Sequence, residues 1–429
     1  MKRLIPWITT LVVLAWLYPA ARSPKPGADG IDTTAFGNLP VQSGGRIKPF
    51  DTLARNSLLI INGKQVLRQD GEKISATRWL LDVMFDAKTA DDQKVFLIHN
   101  PEVLGLFGWQ QGERKRFSHN ELRPFMVQID EQGRQASEVE AAQRSAYQTS
   151  VLNLFNSISL YQRLKNSVRP EGVEALSPEI DEYVAKVPAG FKAMMARNAG
   201  KEYDKQALGS FSRMVSQYEE LHGSGFLRPI PPNDDNPEWY TVGSAILAVG
   251  TDGTLVPGAR TYAEMGDAFV AGDAEKFNKH VATQAESFQQ AEPKTAPRTS
   301  LEFLFNRVDP FYRSIGLYVL AFLLACGSWL ANRSAGAVLR RSAFYVLLLA
   351  LVIQSLGLLT RMYLQGRPPV TNLYSSAIFI GWGTALIGLL LERIYKDGIG
   401  VACASMIGFI TLVIANHLAS SGDTLEMLQ

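Results

Sequence analysis

Five side chains in residues 314–429 have types and spacing that could hold a charged ligand beside a membrane: Arg361, Arg367, Asn372, Tyr374 and His417. Charge close to hydrocarbon is costly and needs a reason. Two guanidiniums and an imidazole on one face could bind a dianionic, iron-bearing ligand, with arginine to carboxylate and imidazole to iron, which makes His417 the candidate metal ligand. The plainer alternative is that the arginines snorkel to lipid headgroups and that His417 caps a helix end or packs between helices. Pro368 and Pro369 force an extended entry into the following segment, and Thr371, Asn372, Tyr374 and Ser375 crowd polar groups at its start. Such an entry suits a ligand platform. Periodicity alone does not name the ligand.

The elements that must position these residues are four uncharged runs: Ser314 to Ala331, Ser342 to Thr360, Pro368 to Leu391 and Gly398 to Gly422. Each is about the ~17–25 residues that a helix needs to cross a bilayer. Another uncharged run, Leu4 to Ala21, follows Met1-Lys2-Arg3. Pro19-Ala20-Ala21-Arg22 matches the small-residue cleavage pattern poorly, so this run is read as an uncleaved anchor. Lys and Arg favour short cytoplasmic loops, and an inside N-terminus places Lys2, Arg3, Arg333, Arg340, Arg341, Arg393 and Lys396 there. The sequence thus predicts a mainly α, polytopic membrane protein of five spans. Residues 1–21 are a transmembrane anchor or a removed signal peptide, 22–313 a large, mainly helical exported domain, and 314–429 a membrane core of four transmembrane helices. This is the topology of a bacterial inner-membrane protein with its large domain on the outer face.

A net charge of +2 hides an asymmetry, because residues 22–313 hold 34 Lys and Arg against 37 Asp and Glu. Nothing in that balance calls for nucleic acid. The two cysteines, Cys326 and Cys403, fall inside predicted spans. The exported part therefore has no disulfide, no thiol nucleophile and no C-x-x-C-H attachment site of its own. No metalloprotease, serine-hydrolase or phosphate-loop signature occurs. His99, His119, His222 and His280 show no metal-ligand spacing and read as structural or surface residues.

Within the exported domain, 23–37 reads as a linker. Gly44-Gly45 demands a tight turn, and a helix capped by Asp51 that stops at Asn62-Gly63 is favoured over a strand at Ser57 to Ile61 entering a hairpin there. Further helices are expected over Ser75 to Phe85, from Ser118 through Val127, and along the stripe Tyr147, Val151, Leu154, Phe155, Ile158, Tyr161 and Leu164. Leu208 to Tyr218 and Phe277 to Phe288 show the same spacing. Lys94 to Ile98 is the best strand candidate. Gly272-Asp273 joins two helices as stop and cap.

Three segments carry a resemblance. RPPVTNLYSSAIFIGW (367–382) resembles the R-P-P-V-T-N segment of the system II cytochrome c assembly proteins, a membrane haem-handling family of the Ccs or Res type. LPVQSGGRIKPFDTLAR (39–55) is similar to the opening of the exported domain in its long versions. FLFNRVDPFYRSIGLYVLAFLL (303–324) resembles their junction with the first core span. The resemblance implies transient handling of haem and its presentation to apocytochrome c at the outer face. It also implies other cytochrome c assembly proteins and membrane lipid as partners, and at most a share in a lyase-type assembly. The family's tryptophan-rich loop with flanking histidines has no match here, so the sequence is read as either a fragment, with the membrane core incomplete at its C-terminus, or the N-terminal part of a split system. His417 is a candidate from the residues themselves, not from the motif. The rival readings are a membrane-anchored scaffold with no haem role and a small-molecule transporter; the latter is disfavoured because the spans lack buried acidic residues or a visible pair of inverted repeats.

Overall fold

The computed structural model of the chain describes residues 27–419 except 111, 113, 114 and 234–236, together with Leu11, Ala15 and Leu425. It divides into two compact units, Lys25–Thr299 and Met1–Pro24 with Ser300–Gln429. The expected anchor at 1–21 lies outside the described residues apart from Leu11 and Ala15.

The first unit is built of helices around one aromatic core, with three two-stranded antiparallel sheets among the described residues. Strands Pro40–Ser43 and Arg46–Pro49 pair antiparallel from Pro40↔Pro49 to Ser43↔Arg46. Gly44 and Gly45 turn between them with φ of 60° and 74°, the two positive values that such a two-residue turn requires. The helix that follows, Phe50–Asn62, stops at Gly63 (φ 70°) as its sequence demands. Its N-cap is Pro49, not Asp51. Asp51 sits inside the first turn, where it accepts from Arg55 Nε at 2.7 Å and Thr77 Oγ1 at 3.3 Å, so it ties this helix to Ala76–Phe85.

Capping fixes most of the other starts. Ser75 accepts from Arg78 N, and Ser118 and Ser145 form capping boxes with Glu121 and Gln148. Asp273 caps Ala274–Ala291 directly after Gly272 (φ 71°) has ended Pro257–Val270. The stripe on Ala146–Lys165 is core, since Val151, Leu154, Ile158, Tyr161 and Leu164 are all buried. Phe155 packs on Gly133, where a Cβ would come within 2.6 Å of the ring.

Two features depart from expectation, and one helix was not anticipated. The segment 23–37 is no plain linker, because Asp32 caps the helix Thr33–Asn38 and Phe36 is fully buried against Phe50. Its composition hides two apolar anchors, Ile31 and Phe36, among polar residues. The unanticipated helix, Leu176–Asn198, runs through Pro188, and Gly190 two positions on lets Phe211 pack against the backbone. The strand at Lys94 to Ile98 shortens to Phe96–Leu97, paired with Arg116–Phe117.

Among the described residues, the second unit contains four candidate spans, long and apolar enough to cross a bilayer. The first, Ala296–Leu330, is interrupted at Asp309 (φ 46°), after which Pro310 opens α1, Pro310–Leu330. Then come α2, Arg333–Gln365, α3, Leu373–Tyr395, and α4, Ile399–Leu418. The mainly helical architecture with four C-terminal membrane-length helices is as the sequence implies. The connections are shorter than expected: Asn332 caps α2, so Arg333, Arg340 and Arg341 lie on the helix and not in a loop. The 33 residues of α2 extend ~50 Å against a hydrocarbon core of ~30 Å, which leaves room for a charged turn outside lipid.

Small residues bring these helices together, as expected where lipid removes the hydrophobic drive for association. A Cβ at Gly388 of α3 would lie 2.3 Å from Ala404 Cβ and 2.7 Å from the Gly400 carbonyl of α4. Gly408 of α4 receives the Tyr318 ring of α1 in the same way.

Candidate functional site

The four helices alternate in direction, so the start of α1, the end of α2, the start of α3 and the end of α4 share one end of the second unit. All five sequence-predicted residues lie there. Asn372 is the N-cap of α3: its Oδ1 accepts from Ser375 N at 2.8 Å, and Ser375 Oγ accepts in return from the Asn372 and Thr371 amides at 2.9 Å. As Pro368 and Pro369 require, the residues before Asn372 are non-helical, and the helix starts at Leu373. The polarity of the R-P-P-V-T-N segment is first a capping requirement. Its amide oxygen serves the backbone locally.

Tyr374, one residue inside α3, receives Arg361 from α2, with the guanidinium carbon 4.7 Å from the ring centroid. Arg361 is only 3% exposed. A desolvated cation over an aromatic face is worth about 2 kcal/mol. This side chain is buried between helices and does not snorkel. Arg367 stands exposed just beyond the left-handed Gly366 that ends α2, and His417 is exposed in the last turn of α4. The structure thus joins Arg361 to Tyr374, caps α3 with Asn372, and leaves Arg367 and His417 exposed at the same end.

Deeper in the unit, a polar layer continues from Arg361. Gln354 lies two helical turns below it on the same face and is fully buried. Tyr318 of α1 donates its hydroxyl to Gln354 Oε1, and Gln354 Nε2 donates to the Ile378 carbonyl of α3 at 2.9 Å. Beside them Trp382 Nε1 donates to Ser355 Oγ at 2.8 Å. One glutamine links three helices. At the opposite end the buried Glu392 carboxylate accepts from the Gly398 amide at 2.9 Å and closes the α3–α4 connection. Tyr318, Gln354, Ser355 and Trp382 were not singled out by sequence; a glutamine seven residues before an arginine in an otherwise apolar run is the signal that marks the face.

Chemically, this end offers an exposed imidazole, one exposed and one buried guanidinium, and a tyrosine ring. These are the donor types for a ligand with carboxylates, an iron centre and a flat apolar body. Among the described residues, no group of three or more His, Cys, Asp or Glu side chains could hold a metal ion alone. His222 behaves as a helix-end residue, with Nδ1 2.9 Å from Thr241 Oγ1.

Fold and site together define a multi-pass integral membrane protein that carries a separate helical domain. No family model matches the chain. It is similar to the cytochrome c biogenesis protein CcsA of Prochlorococcus marinus strain MIT 9301, 33% identical over 124 residues, covering 27% of this chain and 39% of that relative. The CcsA protein of strain NATL2A is 31% identical over 124 residues, covering 27% and 38%. That of subspecies pastoris is 35% identical over 79 residues, covering 18% and 25%. The chain spans less than two-fifths of the length of these relatives, and they match about a quarter of it or less. This partial homology supports a link to system II cytochrome c assembly.

Proposed function

We propose that the protein is a membrane component of cytochrome c maturation that helps deliver or present haem, as cargo, to apocytochrome c at the outer face. The observation that carries this reading is the 33% identity to a cytochrome c biogenesis protein. The end of the four-helix unit supports it, because the donor set there matches a dianionic iron-bearing cargo. In this reading Arg367 and Arg361 meet carboxylates, Tyr374 offers a ring face, Asn372 holds the lead-in rigid, and His417 binds the metal. In this reading 1–21 anchors the chain with its N-terminus inside, residues 22–313 lie on the outer side of a bacterial inner membrane, and this domain docks apocytochrome or a partner assembly protein. The membrane core at 314–429 works with further assembly proteins.

Two experiments test it. Replacing Arg367 or the Asn372 to Tyr374 segment should lower haem-stained cytochrome c in cells, and unchanged staining counts against the reading. The purified chain should carry a haem absorbance that weakens in His417→Ala; a colourless wild type ends the assignment of His417.

A further inference from the structure

In the helical domain, strands Val66–Gln69 and Glu72–Ser75 form a hairpin that turns through Asp70 and Gly71, with φ of 52° and 86°, in the register Val66↔Ser75 to Gln69↔Glu72. Alternation divides its side chains. Leu67 is fully buried in the core and Ile74 packs against it, so Val66, Arg68, Lys73 and Ser75 share the other face. Arg68 and Lys73 stand directly opposite each other, where Cβ atoms are ~4.5–5.5 Å apart, and like charges so placed destabilise a sheet. The hairpin's own acids do not relieve them. Glu72 pairs with Gln69 on the Leu67 face, Asp70 sits in the turn, and among the described residues no ion pair reaches Lys64, Arg68 or Lys73.

This face lines a cleft of about 460 Å³, where Arg68 and Lys73 are joined by Asn62, Lys64, Gln65 and Arg116, and among the described residues no acid lines it. Its frame is fixed. The buried Asn62 accepts from Arg116 Nε through Oδ1, its carbonyl accepts from Arg116 Nη2 at 3.0 Å, and its Nδ2 donates to the Val66 carbonyl at 3.2 Å. The end of the helix Phe50–Asn62, the hairpin and the strand Arg116–Phe117 are thereby locked together, with Lys64, Arg68 and Lys73 exposed on a rigid base. Such preorganisation lowers the cost of binding. A single carboxylate brings one charge to this set of cations, whereas a phosphate ester brings nearly two on three oxygens, each able to accept a charge-assisted hydrogen bond.

We propose that this cleft binds a phosphate group, carried by a small soluble ester or by a lipid headgroup. Lys64, Arg68 and Lys73 donate to the phosphate oxygens, which cancels the repulsion between Arg68 and Lys73, and Arg116 adds a guanidinium held in place by Asn62. The site belongs to the helical domain and stands without the haem reading.

The test titrates the full chain in zwitterionic detergent by calorimetry, above pH 7, where the second phosphate proton (pKa about 6) is lost. The probes are glycerol 3-phosphate, dihexanoyl phosphatidic acid, which carries the same phosphate on a lipid, and succinate, which splits the same charge between two carboxylates. Glycerol 3-phosphate or the lipid should bind saturably, with affinity falling about tenfold or more in Arg68→Ala and in Lys73→Ala, each the loss of one charge-assisted hydrogen bond. Lys192→Ala, which removes an exposed cation from the helix Leu176–Asn198, should change it less than about twofold. Succinate should bind about tenfold more weakly. For the binding that Arg68→Ala removes, a tighter lipid assigns the site to a headgroup, and a tighter glycerol 3-phosphate assigns it to a soluble ester. Arg68→Glu should abolish binding yet unfold no earlier than wild type on heating, because an opposite-charge pair replaces a like-charge one. No saturable binding up to ~10 mM, equal affinity for succinate, an equal loss in Lys192→Ala, or a lower thermal midpoint in Arg68→Glu overturns the proposal. Arg68 and Lys73 are exposed, so their alanine variants keep the fold.

Discussion

Replacing Gln354 by leucine tests how the membrane helices are held. The substitution keeps the volume near constant and removes two interhelical bonds, Tyr318 Oη to Oε1 and Nε2 to the Ile378 carbonyl. Both Tyr318 and Gln354 are fully buried, so the tyrosine hydroxyl is left without its acceptor in a dry interior. Orphaning a buried polar group costs ~1–3 kcal/mol, and interhelical bonds in membrane proteins average ~0.6 kcal/mol each. The expected loss is therefore about 2–4 kcal/mol for Gln354→Leu. Tyr318→Phe should lose less, ~1 kcal/mol, because the glutamine keeps its bond to Ile378. In the double variant the orphaned hydroxyl is gone, and the total should fall about 1 kcal/mol short of the sum of the singles. Detergent-driven unfolding of the full chain in mixed micelles, followed by circular dichroism, measures all three. A Gln354→Leu protein within ~0.5 kcal/mol of wild type, or strict additivity, would refute the reasoning.

Three further outcomes follow from the same physics. Gly388→Val forces α3 from α4, since a Cβ there meets Ala404 at 2.3 Å; a loss of ~1–3 kcal/mol is expected, against little change for Gly383→Val, which faces open space. Ser118→Ala removes a capping box and should cost ~1 kcal/mol, read as a lower midpoint in thermal unfolding of the helical domain. His119 has a folded pKa below the ordinary 6.5, so between the two values the unfolded chain binds more protons. Stability should fall as pH drops below about 6.5, and His119→Phe should flatten that dependence; an unchanged profile in the variant would assign the slope to another group.

Much of this architecture was legible because local signals agreed with tertiary need. Ser75, Ser118 and Asp273 cap helices where a side-chain oxygen precedes an apolar stripe, and Gly63 and Gly272 end helices in the left-handed conformation. The four spans were legible from uncharged length alone. What failed depended on distant partners. Asp51 reads as a cap, but Arg55 and Thr77 claim its carboxylate. Phe36 sits in a polar, linker-like stretch, and only contact with Phe50 and Phe277 makes it core. His119 has no ligand spacing in sequence; its surroundings are supplied by Asp91 and Tyr161, 28 residues before it and 42 after. At the proposed cargo end the residue types could be read, yet the Arg361–Tyr374 stack and the Gln354 link could not. They arise where separate helices meet, which no single helix's periodicity encodes.

The most direct measurement is covalent haem in c-type cytochromes of cells that lack this chain. Membrane proteins are separated under denaturing conditions and stained for haem-dependent peroxidase activity, with apocytochrome followed by antibody. The expected result is loss of the stained bands with apocytochrome still made, recovery with the wild-type chain, and reduced recovery with Arg361→Ala, which removes the buried cation stacked on Tyr374. Stained cytochrome c at wild-type levels without the chain would contradict the account.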